Sequence, residues 1–70
     1  MTKWAVKKKR KGSNLLLYRT VEGQPEVFLG EATSIGQALV EVSEFFEAGD
    51  LVETPEGPCI VNSPNGELNN

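Results

Sequence analysis

The most regular feature of this sequence is an apolar stripe with helical spacing just beyond its midpoint. Apolar residues recur at i, i+3, i+4, i+7, i+10 and i+11, namely Ile35, Ala38, Leu39, Val42, Phe45 and Phe46, and this spacing places them on one face of an α-helix. Ser34 followed by Gln37 is a capping-box pattern for its start, and Gly49 suits a left-handed residue after its end. We predict a helix over residues 35–48 whose apolar stripe belongs to the core.

Before the helix, three β-favouring segments alternate with turn residues. The segments cover residues 4–9, 15–21 and 26–30, and the turns between them, 10–14 and 22–25, contain glycine, serine, asparagine or proline. Short turns of this kind join strands that are neighbours in the sheet. The pattern therefore predicts a three-stranded antiparallel meander.

After the helix, residues 51–53 and 59–61 are again β-favouring and flank a turn. Pro55 and Gly57 occupy the second and fourth turn positions, as in a type I turn. A small hairpin is predicted, which either adds to the sheet or covers the core. Residues 62–70 are polar and rich in turn formers, which is typical of a flexible tail.

Packing follows from the two-layer rule, because an amphipathic helix must bury its apolar face against one face of the sheet. Side chains alternate along a strand. One alternation places Val6, Leu16, Tyr18, Val27 and Leu29 under the helix. It leaves a free face of Lys7, Lys9, Leu15, Leu17, Arg19 and Phe28. We predict one small α+β domain over residues 1–61, of order β-β-β-α with an extra hairpin, whose basic sheet face meets solvent.

Charge is segregated along the chain. All seven basic residues lie within residues 3–19, whereas all ten carboxylates lie within residues 22–67, for a net charge of −3. A clustered positive charge suits a nucleic-acid phosphate backbone, the acidic surface of a partner, or the acidic half of the chain itself. The sequence leaves these three interpretations open.

The order of several residues is similar to that of a known family. The matching positions are Val6, Gly12, Tyr18-Arg19, Gly23, Val27-Phe28-Leu29-Gly30, Thr33 and Ala38. This order resembles the plant AP2/ERF-type DNA-binding domain and the arm-binding domains of phage-type integrases, over roughly residues 4–46. The resemblance implies a three-stranded sheet that lies in the DNA major groove. It also implies DNA contacts from Lys7, Lys9, Arg19 and Phe28, with Lys11 near another contact position.

Physical chemistry supports part of this hypothesis. Lysine and arginine side chains that neutralise phosphates release counterions, and a bidentate fork to guanine is available only from Arg10 and Arg19. The candidate nucleic-acid-binding residues are Lys7, Lys9, Arg10, Lys11, Arg19 and Phe28, with DNA favoured over RNA. The hypothesis requires Lys7, Lys9 and Arg19 to share one uncovered face.

A second hypothesis belongs to the class of protein-interaction or self-assembling modules. The basic hairpin of one chain would dock on the acidic helix or tail of another protein or of a second copy, aided by Leu15, Leu17 and Phe28. A run of basic residues at a hairpin is also typical of a solvated turn that prevents edge pairing. Residues 7–11 match a nuclear-import type of cluster as well.

Enzyme chemistry has little support in the sequence. The chain contains no histidine, and its single cysteine, Cys59, lies between Pro58 and Ile60, where it suits a small apolar core position. A lone cysteine forms no intramolecular disulfide, and a Cys/His zinc site lacks its ligands. The longest apolar run, residues 15–18, is far shorter than a membrane span. We expect a cytoplasmic, non-enzymatic protein without a cofactor, a metal, a small-molecule substrate or a membrane contact.

Overall fold

The chain folds into a mixed β-sheet with a short helix packed on one of its faces. The computed structural model describes residues 1–61 and the backbone of residues 68–69. The elements are β1 (Thr2–Lys8), β2 (Leu15–Val21), β3 (Val27–Ala32), α1 (Ile35–Val42), a 3₁₀ turn (Ser43–Phe45), β4 (Leu51–Thr54), β5 (Gly57–Val61) and β6 (Leu68–Asn69). The predicted tail, residues 62–70, lies outside the described residues apart from Leu68 and Asn69, which pair with β5.

The predicted meander forms one half of this sheet. β1 pairs antiparallel with β2, and β2 pairs antiparallel with β3. α1 then returns the chain to the far side of β1, where β4 pairs with β1 in parallel and β5 completes a hairpin with β4. The strand order is β3-β2-β1-β4-β5-β6. The α+β class is confirmed, but the sheet is larger than three strands because the C-terminal hairpin extends it rather than covering it.

The start of α1 agrees with its capping pattern. The Ser34 hydroxyl oxygen accepts a hydrogen bond from the Gln37 backbone N–H at 3.1 Å. The Gln37 side-chain carbonyl accepts from the Thr33 backbone N–H at 2.7 Å, one residue before the position that the capping box predicts. Both bonds satisfy N–H groups that lack partners within the helix.

The predicted end of the helix at residue 48 is wrong. α1 ends at Val42, and the chain tightens into the 3₁₀ turn, where the Ser43 hydroxyl donates to the Val40 carbonyl at 3.0 Å. Phe46 then adopts an extended conformation. Gly49 has the expected positive φ of +93°, but it lies in the turn that leads into β4. Phe46 nevertheless reaches the core, on the side of the chain that the apolar stripe predicts.

The core lies between α1 and the centre of the sheet. Its buried members are Trp4, Val6, Leu15, Leu17, Ala32, Ala38, Val42, Phe46, Val52 and Val61. The rings of Trp4 and Phe46 meet edge to face, with centroids 5.5 Å apart. Phe45 was expected in the same core, but 58% of its surface is exposed.

The predicted assignment of the two sheet faces is wrong for β2. Leu15 and Leu17 lie under α1, whereas Leu16 and Tyr18 lie on the opposite face. Val6 pairs with Leu17, so these two side chains share a face. Trp4 belongs to the same face by alternation, and the largest apolar set is therefore the one that includes Trp4, Val6, Leu15 and Leu17. Val27 and Leu29, also expected under the helix, are exposed.

A buried carboxylate joins the end of the helical segment to the first strand. Asp50 is 3% exposed and accepts hydrogen bonds from the Trp4 indole N–H at 3.2 Å and from the backbone N–H groups of Thr2 and Glu47. Three donors compensate the lost hydration of this carboxylate. Asp50 thereby connects the start of β1 to the segment between the 3₁₀ turn and β4.

Among the described residues, no helix is both long and apolar enough to cross a bilayer.

Candidate interaction surface

The sheet face opposite α1 is the main candidate surface, and we call it the open face. No helix or strand within residues 1–61 packs on it. Residues paired across neighbouring strands share a face, so three lateral rows define it. They are Glu31–Leu16–Lys7, then Phe28–Tyr18–Ala5–Glu53–Pro58, then Thr20–Lys3–Leu51–Ile60.

Every lysine of the open face has a carboxylate partner. Lys7 contacts Glu26 at 3.3 Å, Lys9 contacts Glu31 at 3.0 Å, and Lys3 contacts Glu53 at 3.5 Å. All six side chains are partly exposed, so each pair contributes little to stability. Their main effect is electrostatic, because the lysine charges are cancelled locally and the open face is close to neutral.

Glu31 has the best-connected carboxylate of the open face. Lys9 Nζ donates to one carboxylate oxygen at 3.0 Å, and the Asn14 side-chain amide donates to the other at 3.2 Å. These hydrogen bonds, that of Lys9 first, together with the lysine charge, hold the pKa of Glu31 below its ordinary value of 4.5. Glu31 is therefore ionised at neutral pH, and it anchors Lys9 beside β3.

Two aromatic rings and a leucine form an apolar cluster on the β2–β3 half of the open face. The Tyr18 and Phe28 ring centroids are 5.5 Å apart with a tilt of 59°. Lys7 Nζ lies 4.8 Å from the centre of the Tyr18 ring, within cation–π range. Phe28 is 54% exposed and Tyr18 is half-buried. We call Leu16, Tyr18 and Phe28 the aromatic cluster.

A β-bulge explains why Phe28 belongs to this cluster. Leu17 pairs with Gly30 and Tyr18 pairs with Phe28, so Leu29 is the extra residue of β3. The extra residue resets the alternation of side chains, and Phe28 shares the face of Tyr18. The free-face position predicted for Phe28 is confirmed.

A second apolar cluster lies on the β4–β5 half, beyond β1. It consists of Leu51, Pro58 and Ile60, of which Ile60 is 44% exposed. Leu51 also lines a shallow depression of about 350 Å³ at the end of β1, beside Lys3 and Thr20. We call Leu51, Pro58 and Ile60 the aliphatic cluster.

The end of β1 and its connection to β2 carry a separate group of charges, which we call the basic tip. Lys8, Arg10 and Lys11 are exposed there, and none of them forms an ion pair with another described residue. The tip is positively charged, in contrast to the neutral open face. The predicted positions of Arg10 and Lys11 are thus exposed, but they lie beyond the end of the sheet.

Arg19 does not share the open face with Lys7 and Lys9, which corrects the arrangement that the sequence suggested. It pairs with Trp4 across β1 and β2, so its side chain lies on the α1 side, with the guanidinium carbon 6.0 Å from the Trp4 ring centre. The Arg19 guanidinium and the lysines of the open face therefore lie on opposite sides of the sheet.

The sequence argument missed Tyr18, Leu16 and the three glutamates that pair with the lysines. A signal for Tyr18 does exist, since a tyrosine with a polar hydroxyl prefers a partly exposed site to a closed core. The ion pairs had no comparable signal, because Lys9 and Glu31 are brought together only by the pairing of β2 with β3.

Comparison with known proteins gives no relative. No family model, no curated protein and no solved structure matches the chain.

Proposed function

We propose that this chain is a small non-enzymatic binding module that docks on a protein surface through the open face of its sheet. The observation that carries the proposal is the combination of an exposed aromatic pair with charges that are already cancelled. Tyr18 and Phe28 stand in contact on the open face, and each nearby lysine has its own glutamate.

The aromatic cluster has the chemistry of a protein-binding centre. Tyrosine and phenylalanine are enriched in interface cores, where a few residues supply most of the binding energy. The half-buried Tyr18 already packs on its neighbours, so it loses little conformational freedom when a partner covers it. Phe28 offers the exposed part of the pair.

The electrostatics of the open face also favour a protein over a polyanion. A phosphate backbone would have to displace Glu26 and Glu31 from the lysines, and both carboxylates would then repel it. A protein surface of low net charge meets the same groups without this penalty. The ion pairs then form a polar rim around the apolar centre.

Substitution of Phe28 tests this proposal. Phe28→Ala removes an exposed ring, so we expect the fold to be retained and partner affinity to fall by about tenfold or more. Wild type and variant serve as baits in lysates of the cells that produce the protein. A captured protein is then purified and titrated by calorimetry.

Phe45→Ala is the matched control, because Phe45 is equally exposed but belongs to the helical segment. Equal affinities for Phe28→Ala and wild type, or an equal loss in Phe45→Ala, would contradict docking through the open face.

Nucleic-acid binding is the second candidate, and the basic tip favours it. Lys8, Arg10 and Lys11 are exposed, without ion pairs within the described part of the chain, and they lie next to Lys9. The resemblance to AP2/ERF-type and integrase arm-type domains supports the same candidate. In this proposal Lys7, Lys9, Arg10, Lys11 and Phe28 meet DNA from one side, whereas Arg19 lies on the other side of the sheet.

A salt titration decides on this second candidate. Binding of a short DNA duplex, followed by fluorescence anisotropy from about 50 to about 300 mM salt, should weaken by about 0.9 log units per phosphate contact per log unit of salt. Replacing Arg10 and Lys11 together by Ser should reduce that slope by about 1.8. An unchanged slope, or no binding at low salt, would rule out the basic tip as a nucleic-acid site.

A further inference from the structure

We propose that the partner docks as an extended peptide segment, which adds a strand to the sheet along the outer edge of β3. This inference rests on the proposed function and names the form of the partner. β3 is the outermost strand on its side of the sheet, whereas β6 pairs with β5 on the other side. A strand added to β3 lies beside Phe28 and extends the open face.

The exposed apolar side chains of the sheet are concentrated on β3. Val27, Phe28 and Leu29 are consecutive, and each is at least 40% exposed. Each of the other strands within residues 1–61 has at most one large apolar residue so exposed, Ile60 of β5. Ala5, at the centre of the open face, is buried within the single chain. The apolar surface that a partner can cover therefore lies mainly at the edge of the sheet.

The exposed side chains of β3 determine the direction from which a partner approaches. Val27 pairs with Arg19 and lies on the α1 side, whereas Phe28 pairs with Tyr18 and lies on the open face. A partner that lies flat on the open face covers Phe28 but does not reach Val27. A partner that approaches in the plane of the sheet contacts both side chains, because they flank the same edge.

The backbone of β3 favours an extended chain over a helix at this edge. An edge strand directs a row of N–H and C=O groups away from the sheet, and within residues 1–61 the backbone of β3 is hydrogen-bonded to the backbone of β2 alone. A helix would remove water from these groups without replacing its hydrogen bonds, since the backbone groups of a helix are already paired. An extended segment replaces the bonds to water with a second ladder, as in β-strand addition.

The segment that fits this edge is short, uncharged and apolar on both of its sides. The two glutamates that flank the apolar edge, Glu26 and Glu31, already have lysine partners. Apolar residues of the segment would lie beside Val27 on one side of the sheet and beside Phe28 on the other. The bulge at Leu29 interrupts the regular edge, and bulges limit edge-to-edge pairing. The added strand is therefore no longer than the six residues of β3.

Peptide selection tests this docking mode. Random peptides of about eight residues, displayed on phage and selected on the immobilised full chain, should yield short apolar sequences that bind as strands. The bound peptide should slow the hydrogen exchange of outward-directed N–H groups of β3, as measured by NMR. N-methylation of alternate peptide residues removes the donors along one edge of the peptide. It should weaken binding about tenfold or more in one of the two alternating patterns and much less in the other.

Val27→Glu separates docking at the edge from docking on the open face. Arg19 lies opposite Val27 and compensates the new carboxylate, so we expect the fold to be retained. A charge at an edge strand opposes strand addition, and the affinity for the selected peptides should fall about tenfold or more. Val40→Glu is the matched control, because Val40 is exposed on α1, and it should leave the affinity unchanged.

Each outcome decides for or against the added strand. A selection that yields no binding peptide would overturn it. Peptide binding that Phe28→Ala weakens, but that Val27→Glu and N-methylation leave unchanged, would also overturn it while docking through the open face stands. A wild-type dimer in sedimentation equilibrium that Val27→Glu dissociates would assign the edge to a second copy instead. Slowed exchange in β3, with affinity lost in Val27→Glu and kept in Val40→Glu, is the expected result.

Discussion

Two adjacent phenylalanines in the middle of the chain occupy opposite environments. Phe45 is 58% exposed, whereas Phe46 is 5% exposed and packs on Trp4. The difference arises because Phe46 leaves the helical conformation and turns its ring toward the sheet. Because they are neighbouring residues of the same type, substitutions at the two positions separate the effect of core packing from that of surface exposure.

Replacing these two residues should have very different effects on stability. Phe46→Ala should lower the free energy of unfolding by about 3–5 kcal/mol, because it leaves a cavity beside Trp4. Phe45→Ala should change it by at most about 0.5 kcal/mol. Urea unfolding followed by the fluorescence of Trp4, the only tryptophan, measures both. Phe46→Leu keeps a folded protein within reach of the measurement, and a loss from Phe45→Ala as large as that from Phe46→Leu would contradict this core.

Residue environments that depend on distant partners could not be predicted from the sequence. Asp50 appears in the sequence as one more carboxylate of an acidic segment, yet it is buried and accepts the indole N–H of Trp4, 46 residues away. Nothing local distinguishes Asp50 from the exposed Glu47 or Glu44. The signal is the fold itself, which brings the end of the helical segment to the start of β1.

At the scale of elements, local chemistry predicted starts better than ends. The Ser34 cap and the β4–β5 turn were correct because each depends on residues within one turn of the chain. The helix end was not, since the apolar stripe continues through Phe46 while the chain has already changed conformation. The 3₁₀ turn followed by an extended residue still buries Phe46, as the stripe predicts, but it leaves Phe45, another member of the stripe, exposed.

The choice of sheet face was nearly balanced in the sequence. β2 has Leu15 and Leu17 on one side and Leu16 and Tyr18 on the other, so its own alternation does not decide which side is buried. The register with β1 decides it, because Val6 pairs with Leu17. A difference of one residue in the pairing of β1 with β2 exchanges the two faces of β2. For this reason Arg19 lies on the α1 side and not on the candidate surface.

On the scale of the whole molecule, folding pairs part of the charge that is segregated along the sequence. The basic first segment and the acidic remainder meet across β1, β3 and β4, where lysines pair with Glu26, Glu31 and Glu53. Three lysines of the basic segment thus meet carboxylates of the chain's own acidic half, which is one of the contacts that the sequence left open. Positive charge without such partners is concentrated at the basic tip, among the residues that the structure describes.

The ion pair of Lys9 with Glu31 should give this sheet a characteristic dependence on pH. The folded pKa of Glu31 lies below its ordinary value of 4.5, chiefly because of the hydrogen bond from Lys9. Its contribution to stability is therefore complete above about pH 4.5 and is lost as the pH falls through the lower folded pKa. Lys9→Met should raise the pKa of Glu31 toward the ordinary value, as measured by NMR titration of its side-chain carboxyl carbon.

Lys8→Met is the control, because Lys8 belongs to the α1 side at the same end of β1 and has no ion pair within the described residues. Part of the shift should persist in Lys9→Met, since Asn14 still donates to the second carboxylate oxygen. Only the combined change of Lys9 and Asn14 should remove the shift completely. An unaltered Glu31 titration in Lys9→Met would mean that the charges of the two segments do not cancel across β2 and β3, and the neutral open face would lose its physical basis.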